Sequence, residues 1–240
     1  DLMPAHIRAF KARKLEEGLN PNTVGNMQGV LSVALNQAVD DGLIPSNPAS
    51  RVKKAATRGE RLVRSLSHEE ASRLIAVSKG TRDEALIVVA LKSGMRQGEL
   101  LALRWQDVEL GRSGKPAITV RLSADTRTKP RVSTTKTGRE RKISLGPRTV
   151  ELLTAHRSRQ LEERMKATTW EDPGLVFPND RGGIRRRESA VRSLKRLLAE
   201  ADLPTNFRFH DLRHTAGTLA LRQGVPLHTA QKCSATPTRR

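Results

Sequence analysis

Phe209-His210-Asp211-Leu212-Arg213-His214-Thr215 places a histidine and an arginine three residues apart, which is one turn of a helix. Leu212, Ala216, Leu219 and Ala220 continue at helical spacing, so His210 and Arg213 fall close to a helix N-terminus. The unpaired N–H groups and the dipole at such an end favour phosphate, and both side chains can point at one anion. His210 and His214 also have the i, i+4 spacing of a helical metal pair, with Asp211 where a zinc protease carries glutamate. Arg213 would set a cation beside that ion and no third ligand is evident, so no metal is expected. His214 is expected to pack or hydrogen-bond locally.

Charge extends the phosphate reading to the whole chain. Its 240 residues carry 44 Lys and Arg against 25 Asp and Glu, a net +19. Nine basic residues against two acids lie between Arg121 and Arg148, and seven against one between Arg181 and Arg196. Ordinary solvated surfaces mix signs, so a nucleic acid is the expected partner. With two Trp, four Phe and no Tyr, the core must be built from Leu, Val, Ile and Ala. The single cysteine, Cys233, excludes a disulfide framework and a cysteine zinc site. No apolar run reaches membrane-spanning length and no signal peptide opens the chain, which suggests a cytoplasmic, nucleoid-associated protein.

The remaining pattern is mostly helical. The chain enters helical spacing at once (Ile7, Phe10, Leu15), which suggests that something upstream is missing. Asn20-Pro21 is a cap followed by a first-turn proline, and Val24, Met27, Leu31, Leu35 and Ala38 keep one face apolar until Gly42 and Pro45. Residues 51–64 are basic and lack periodicity, a linker between a small helical unit and a larger one. Ser67 to Glu70 fits a capping box. Helices are predicted over 82–93 and 98–105, with Arg96 in the elbow between them. Alternation over Ile118–Leu122 predicts a strand; 132–137 and 141–145 predict a hairpin around Gly138, with Lys136 beside the turn. Helices follow from Pro147 and over 188–201. The expected fold class is therefore mainly α with a small antiparallel sheet, α+β.

Three separate motifs then agree. Gly94-Met95-Arg96-Gln97-Gly98-Glu99-Leu100, Thr135-Lys136-Thr137-Gly138 with Arg141-Lys142-Ile143-Ser144-Leu145, and Phe209 to Thr215 resemble, in order, the signatures of tyrosine recombinases of the phage-integrase type. The resemblance implies part of a helical core-binding domain over 1–58 and the catalytic domain over 59–240. It implies site-specific breakage and rejoining of double-stranded DNA through a phosphotyrosine, with no cofactor and no metal. Arg96 and Arg213 would clamp the scissile phosphate, His210 would sit beside the second arginine, and Lys136 would protonate the departing sugar hydroxyl. Arginine's planar fork suits nonbridging phosphate oxygens, and fixed cations aimed at developing charge lower the barrier.

Plainer roles compete. Arg96 could cap the preceding helix, Glu99 could buttress an arginine, and Lys129 or Lys142 could replace Lys136 on a basic hairpin that only touches backbone phosphate. The tail departs from the family's pattern. After Lys232, where a Gly-His pair and a segment leading to tyrosine are expected, Cys233-Ser234-Ala235-Thr236-Pro237 follows. One base restored after Lys232 can turn codons for this tail into Val-Leu-Gly-His-Ala-Asn-Pro-Ala, so a reading-frame shift is the expected origin, with truncation as the alternative. Without the nucleophile the chain is expected to bind DNA and not cut it. Homo-oligomerisation, which the family achieves through its C-terminal segment, is then in doubt. A non-catalytic protein that occupies recombination sites is the second reading.

Overall fold

A computed structural model describes residues 2–53, 64–111, 114–125, 131–134, 140–222 and 224. The chain divides into two compact units, Asp1–Leu62 and Val63–Arg240.

Among its described residues the first unit is two helices and a short 3-10 turn. Helix α1 spans Pro4–Glu16 and α2 spans Pro21–Asp40, each with proline in its first turn; Asn20 caps α2 by accepting the Asn22 N–H at 2.9 Å. Ile7, Ala49 and Val52 form a small core flanked by Leu31 and Leu35. Polar side chains close the returning chain over it. Gln28 donates to the Val52 carbonyl at 2.7 Å, and Asn47 donates to Ser32 O and Asn36 Oδ1 while accepting the Ala49 N–H.

The second unit is built around a helix that is apolar on all sides. After α3 (His68–Ser78), with the Ser67–Glu70 capping box in place, α4 (Glu84–Ser93) buries Ala85, Leu86, Ile87, Val89, Ala90 and Leu91. A helix with no polar face must be surrounded. It is packed by α3, by α5 (Gln97–Leu101), and later in the chain by α6 (Pro147–Lys166) and α8 (Phe209–Arg222). Helix α7 (Arg187–Glu200) buries Leu194, Leu197 and Leu198 and packs on α3. No helix among the described residues is long and apolar enough to cross a membrane.

Among the described residues five short strands complete the unit: β1 (Val108–Glu109), β2 (Ala117–Val120), β3 (Leu122–Asp125), β4 (Arg131–Thr134) and β5 (Arg141–Ser144). They form two antiparallel sheets, β1-β2-β5 and β3-β4. The fold is mainly helical with small antiparallel sheets, as expected, but three local expectations fail. The helix predicted over 98–105 ends at Leu101. Tertiary partners take the backbone groups that a longer helix would use: Val176 N–H donates to Leu103 O and Trp105 N–H to Gly174 O, both at 2.8 Å. Of the predicted hairpin of 132–137 with 141–145, residues 135–137 and the turn at Gly138 lie outside the described residues, and 132–134 do not pair with 141–144. β4 pairs with β3, and β5 pairs with β2 in the register Ile118↔Ile143 and Val120↔Arg141. Burial decides this, because Ile143 packs with Ile118 and Val120 in the main core, whereas Val132 on β4 is only partly buried. The single strand expected over Ile118–Leu122 also divides at Arg121, whose guanidinium turns to Asp107 (2.8 Å) and Glu140 (3.0 Å).

Candidate phosphate-binding site

The turn between α4 and α5 carries the site. Gly94 closes α4 in the left-handed conformation (φ 60°), which costs an ordinary residue a steric penalty, and buried Met95 anchors the turn. Gly94 therefore ends α4, and Arg96 follows as the N-cap residue of α5. Arg96 stands at the start of α5 with extended backbone. Gly98 is required by a close approach: a Cβ there would lie 2.6 Å from Ser123 Oγ and 2.7 Å from the Ala124 carbonyl oxygen. The absence of a side chain lets α5 lie directly on β3.

Glu99 is the hub beneath Arg96. Its side chain is 1% exposed, and it accepts four hydrogen bonds. Oε2 takes the Arg96 backbone N–H (2.7 Å) and Arg141 Nη2 (2.6 Å), while Oε1 takes Arg96 Nη1 and Arg141 Nη1, both at 3.0 Å. Burial pushes the carboxyl's pKa up, but the Arg141 hydrogen bonds, the Arg96 N–H and the two positive charges outweigh it and hold Glu99 below the usual carboxylate value.

Helix α8 supplies the second arginine. Arg213 is 3% exposed and donates from Nη1 to the Gly94 carbonyl at 2.5 Å. Its guanidinium thus reaches the turn that bears Arg96, 117 positions earlier in the chain. The start of α8 is fixed by Asp211, which is buried and accepts the Arg208 N–H at 2.8 Å, and by Thr215, whose hydroxyl accepts the Leu66 N–H at 3.0 Å. Asp211 is thereby occupied in holding the helix start. His210 is exposed in the first turn, with its ring edge-on to His214 at 4.8 Å between centroids. Desolvation of the ring, then the nearby His214 and Arg213 charges, lower its pKa against the opposing pull of Asp211, which favours the neutral imidazole. A neutral imidazole both gives and accepts a hydrogen bond. Among the described residues no three His, Cys, Asp or Glu side chains converge as a metal site.

Of the four site residues expected from sequence, Arg96 and Arg213 meet at one turn and His210 stands one helical turn before Arg213. Lys136 lies outside the described residues. Sequence reasoning overlooked Arg141 and the pair Gln97–Arg187, in which Gln97 donates to Arg187 O (3.1 Å) and accepts from Arg187 Nε (3.2 Å), tying α7 to the start of α5. Arg141 had a signal. It shares a strand face with Ile143, so an inward Ile143 turns Arg141 inward as well, where it needs a carboxylate.

A mainly helical unit with small antiparallel sheets is a fold shared by solved integrase structures. The Tn1549 transposon integrase in complex with a circular intermediate DNA superposes with a TM-score of 0.82 at 20% identity, covering 99% of this chain and 79% of that one. A lambda integrase dimer bound to a COC′ core site gives 0.69 at 19% identity, covering 99% and 80%. In sequence, the tyrosine recombinase XerC-like protein of Caldanaerobacter subterraneus subsp. tengcongensis is 27% identical over 94% of this chain, and the integrase of Mycobacterium phage L5 is 31% identical over 94%. The chain spans 62% of the first relative's length and 58% of the second's. Residues 64–235 match the model of the phage integrase family, and the chain belongs to that family.

Proposed function

We propose that this chain is the DNA-holding and phosphate-clamping portion of a site-specific tyrosine recombinase acting on double-stranded DNA. The observation that carries the reading is the Arg213 hydrogen bond to Gly94, which brings the two motif arginines to one turn, with His210 one helical turn before Arg213. Arg96 and Arg213 bind the nonbridging oxygens of the scissile phosphate, His210 hydrogen-bonds at the same phosphate, and Lys136 delivers the proton to the departing 5′ hydroxyl. The cations are placed where charge builds in the transition state. Residues 1–58 contribute a helical DNA-binding unit and 59–240 the catalytic unit, and copies associate on the DNA. The names of the relatives, the DNA in the superposable structures and the +19 charge all support this reading.

These 240 residues contain no tyrosine, so a covalent phosphotyrosine step draws its nucleophile from outside them. The same fact favours a second reading for the polypeptide alone, occupancy of a recombination site without cleavage. Fluorescence anisotropy on a duplex of recombination-site length tests the first claim. Binding is expected, and Arg96→Ala and Arg213→Ala are each expected to weaken it; no binding, or none weakened by either change, would sink the reading. A nicked suicide duplex tests the second. No covalent adduct is expected from these residues, and a trapped adduct would overturn the occupancy reading.

A further inference from the structure

We infer that the cavity between α4, the end of β5 and the start of α6 is a binding site for a small amphipathic carboxylate, a molecule with an apolar body and one anionic end. The cavity has a volume of about 510 Å³, inside the roughly 300–1,000 Å³ range of small-molecule sites. β5 ends at Ser144 and α6 begins at Pro147, so one short turn sets both beside the last turns of α4. Arg96, His210 and Arg213 do not line the cavity, so the inference goes beyond the proposed function and does not depend on it.

Val89, Ile143 and Leu145 give the cavity apolar walls, which favour an apolar group over water. Its charged side chains are all of one sign. Lys92 and Arg148 line it from exposed positions, no acidic side chain does, and neither cation has an ion-pair partner among the described residues. The start of α6 adds positive potential. Its N-cap is Gly146, no acid stands in its first turn, and the Arg148 N–H has no acceptor among the described residues. Thr149 is an independent sign of a ligand. It is 7% exposed and lines the cavity, yet its hydroxyl has no hydrogen-bond partner among the described residues, whereas buried hydroxyls are ordinarily bonded. A carboxylate can accept from that hydroxyl and from the cations while its apolar body covers the walls. A bare phosphate would use the cations and leave the walls wet. The net charge of +19 attracts any anion, so the walls are what select this class.

Calorimetric titration of the 240-residue chain without DNA tests this with phenylbutyrate, the matching alcohol phenylbutanol, and acetate. Phenylbutyrate is expected to bind on the order of tenfold more tightly than phenylbutanol, the effect of about one charge-assisted hydrogen bond. Acetate, which lacks the apolar body, is expected to bind more weakly than either. Methyl NMR spectra are expected to place phenylbutyrate at Val89, Ile143 and Leu145. Lys92→Glu with Arg148→Glu, both at exposed positions, is expected to bring acid and alcohol within about twofold of each other. Thr149→Val exchanges the hydroxyl for a methyl and is expected to weaken the acid by about three- to tenfold. Equal affinity of acid and alcohol for the wild-type chain overturns the inference, as does a preference that survives the charge reversal, or methyl shifts confined to other residues. Should Thr149→Val fail to fold, the exposed charge pair still decides. A blocked peptide of Asp, Glu, Leu and Phe that binds at these methyls more tightly than phenylbutyrate would assign the cavity to a protein partner, and also overturns the inference. A chain that binds no duplex contradicts only the proposed function.

Discussion

Arg213 shows how much one side chain carries. Its guanidinium satisfies the Gly94 carbonyl from a buried position, so Arg213→Ala leaves that carbonyl without this donor as well as removing a clamp. Unfolding in urea is expected to show a loss of about 1–3 kcal/mol, the cost of an unsatisfied buried group; an unchanged midpoint would contradict the anchoring role. Two histidines set an acid limit. His156 is buried with its Nε2 2.7 Å from the Val176 carbonyl; burial lowers its pKa more than this bond and Glu163 raise it, and His210 is lowered as well. Both folded values lie below the ordinary 6.5, so the unfolded chain binds these protons first. Their contribution is fully present above the unfolded value and is lost as pH falls through the folded ones. Urea midpoints are therefore expected to drop between pH 7.5 and 5.5, and His156→Gln is expected to flatten that drop; a midpoint that holds level in the parent chain refutes it.

At the scale of elements, glycines of opposite character make the clearest forecast. Gly98 lies against the Ser123 hydroxyl and the Ala124 carbonyl, and a β-carbon there must push α5 off β3. Gly98→Ala is expected to cost about 1–3 kcal/mol, as overpacking does. Gly25 lies within α2 with open space around its Cβ position, so Gly25→Ala is expected to stabilise by about 0.5–1 kcal/mol through helix propensity alone. Thermal or urea unfolding reads both; a stabilising Gly98→Ala would mean that α5 does not rest on β3 as described, and a destabilising Gly25→Ala would contradict the open face of α2. Element types were legible because each has a local cause: the Asn20 and Ser67 caps, the all-apolar run of α4, and the alternation of Ile118 and Val120. Partners were not. Local pattern marks 132–137 and 141–145 as strands, but only competition for burial beside Ile118 sends Ile143 to β2 and leaves β4 to β3.

For the whole molecule the dominant property is charge. A chain of +19 with basic residues clustered in two stretches should hold a duplex mainly through phosphates, releasing counterions as it does so. A plot of log affinity against log salt is expected to fall steeply, and Arg96→Ala to reduce its slope by about one, the share of a single phosphate contact. A shallow slope would mean that base contacts or apolar surface dominate instead. Such a measurement also bears on the division into units. The isolated 63–240 unit, if it folds alone, is expected to show a smaller slope than the full chain, since the helical unit carries basic residues of its own.

Sequence by itself determined the mainly helical class, the electrostatic character, the three motifs and the absence of tyrosine, because composition and short spacings are properties of the chain before it folds. It also named Arg96, His210 and Arg213, since each sits in a motif whose local conformation, a glycine turn or a helix start, is written within a few residues. Tertiary structure alone decided that Arg213 reaches Gly94, that Glu99 is shared by Arg96 and Arg141, and that Gln97 is tied to Arg187. The bonds from Arg141, Arg187 and Arg213 join residues 42 to 119 positions apart. Nothing local specifies them; they follow from which apolar faces α4 and β2 can bury together.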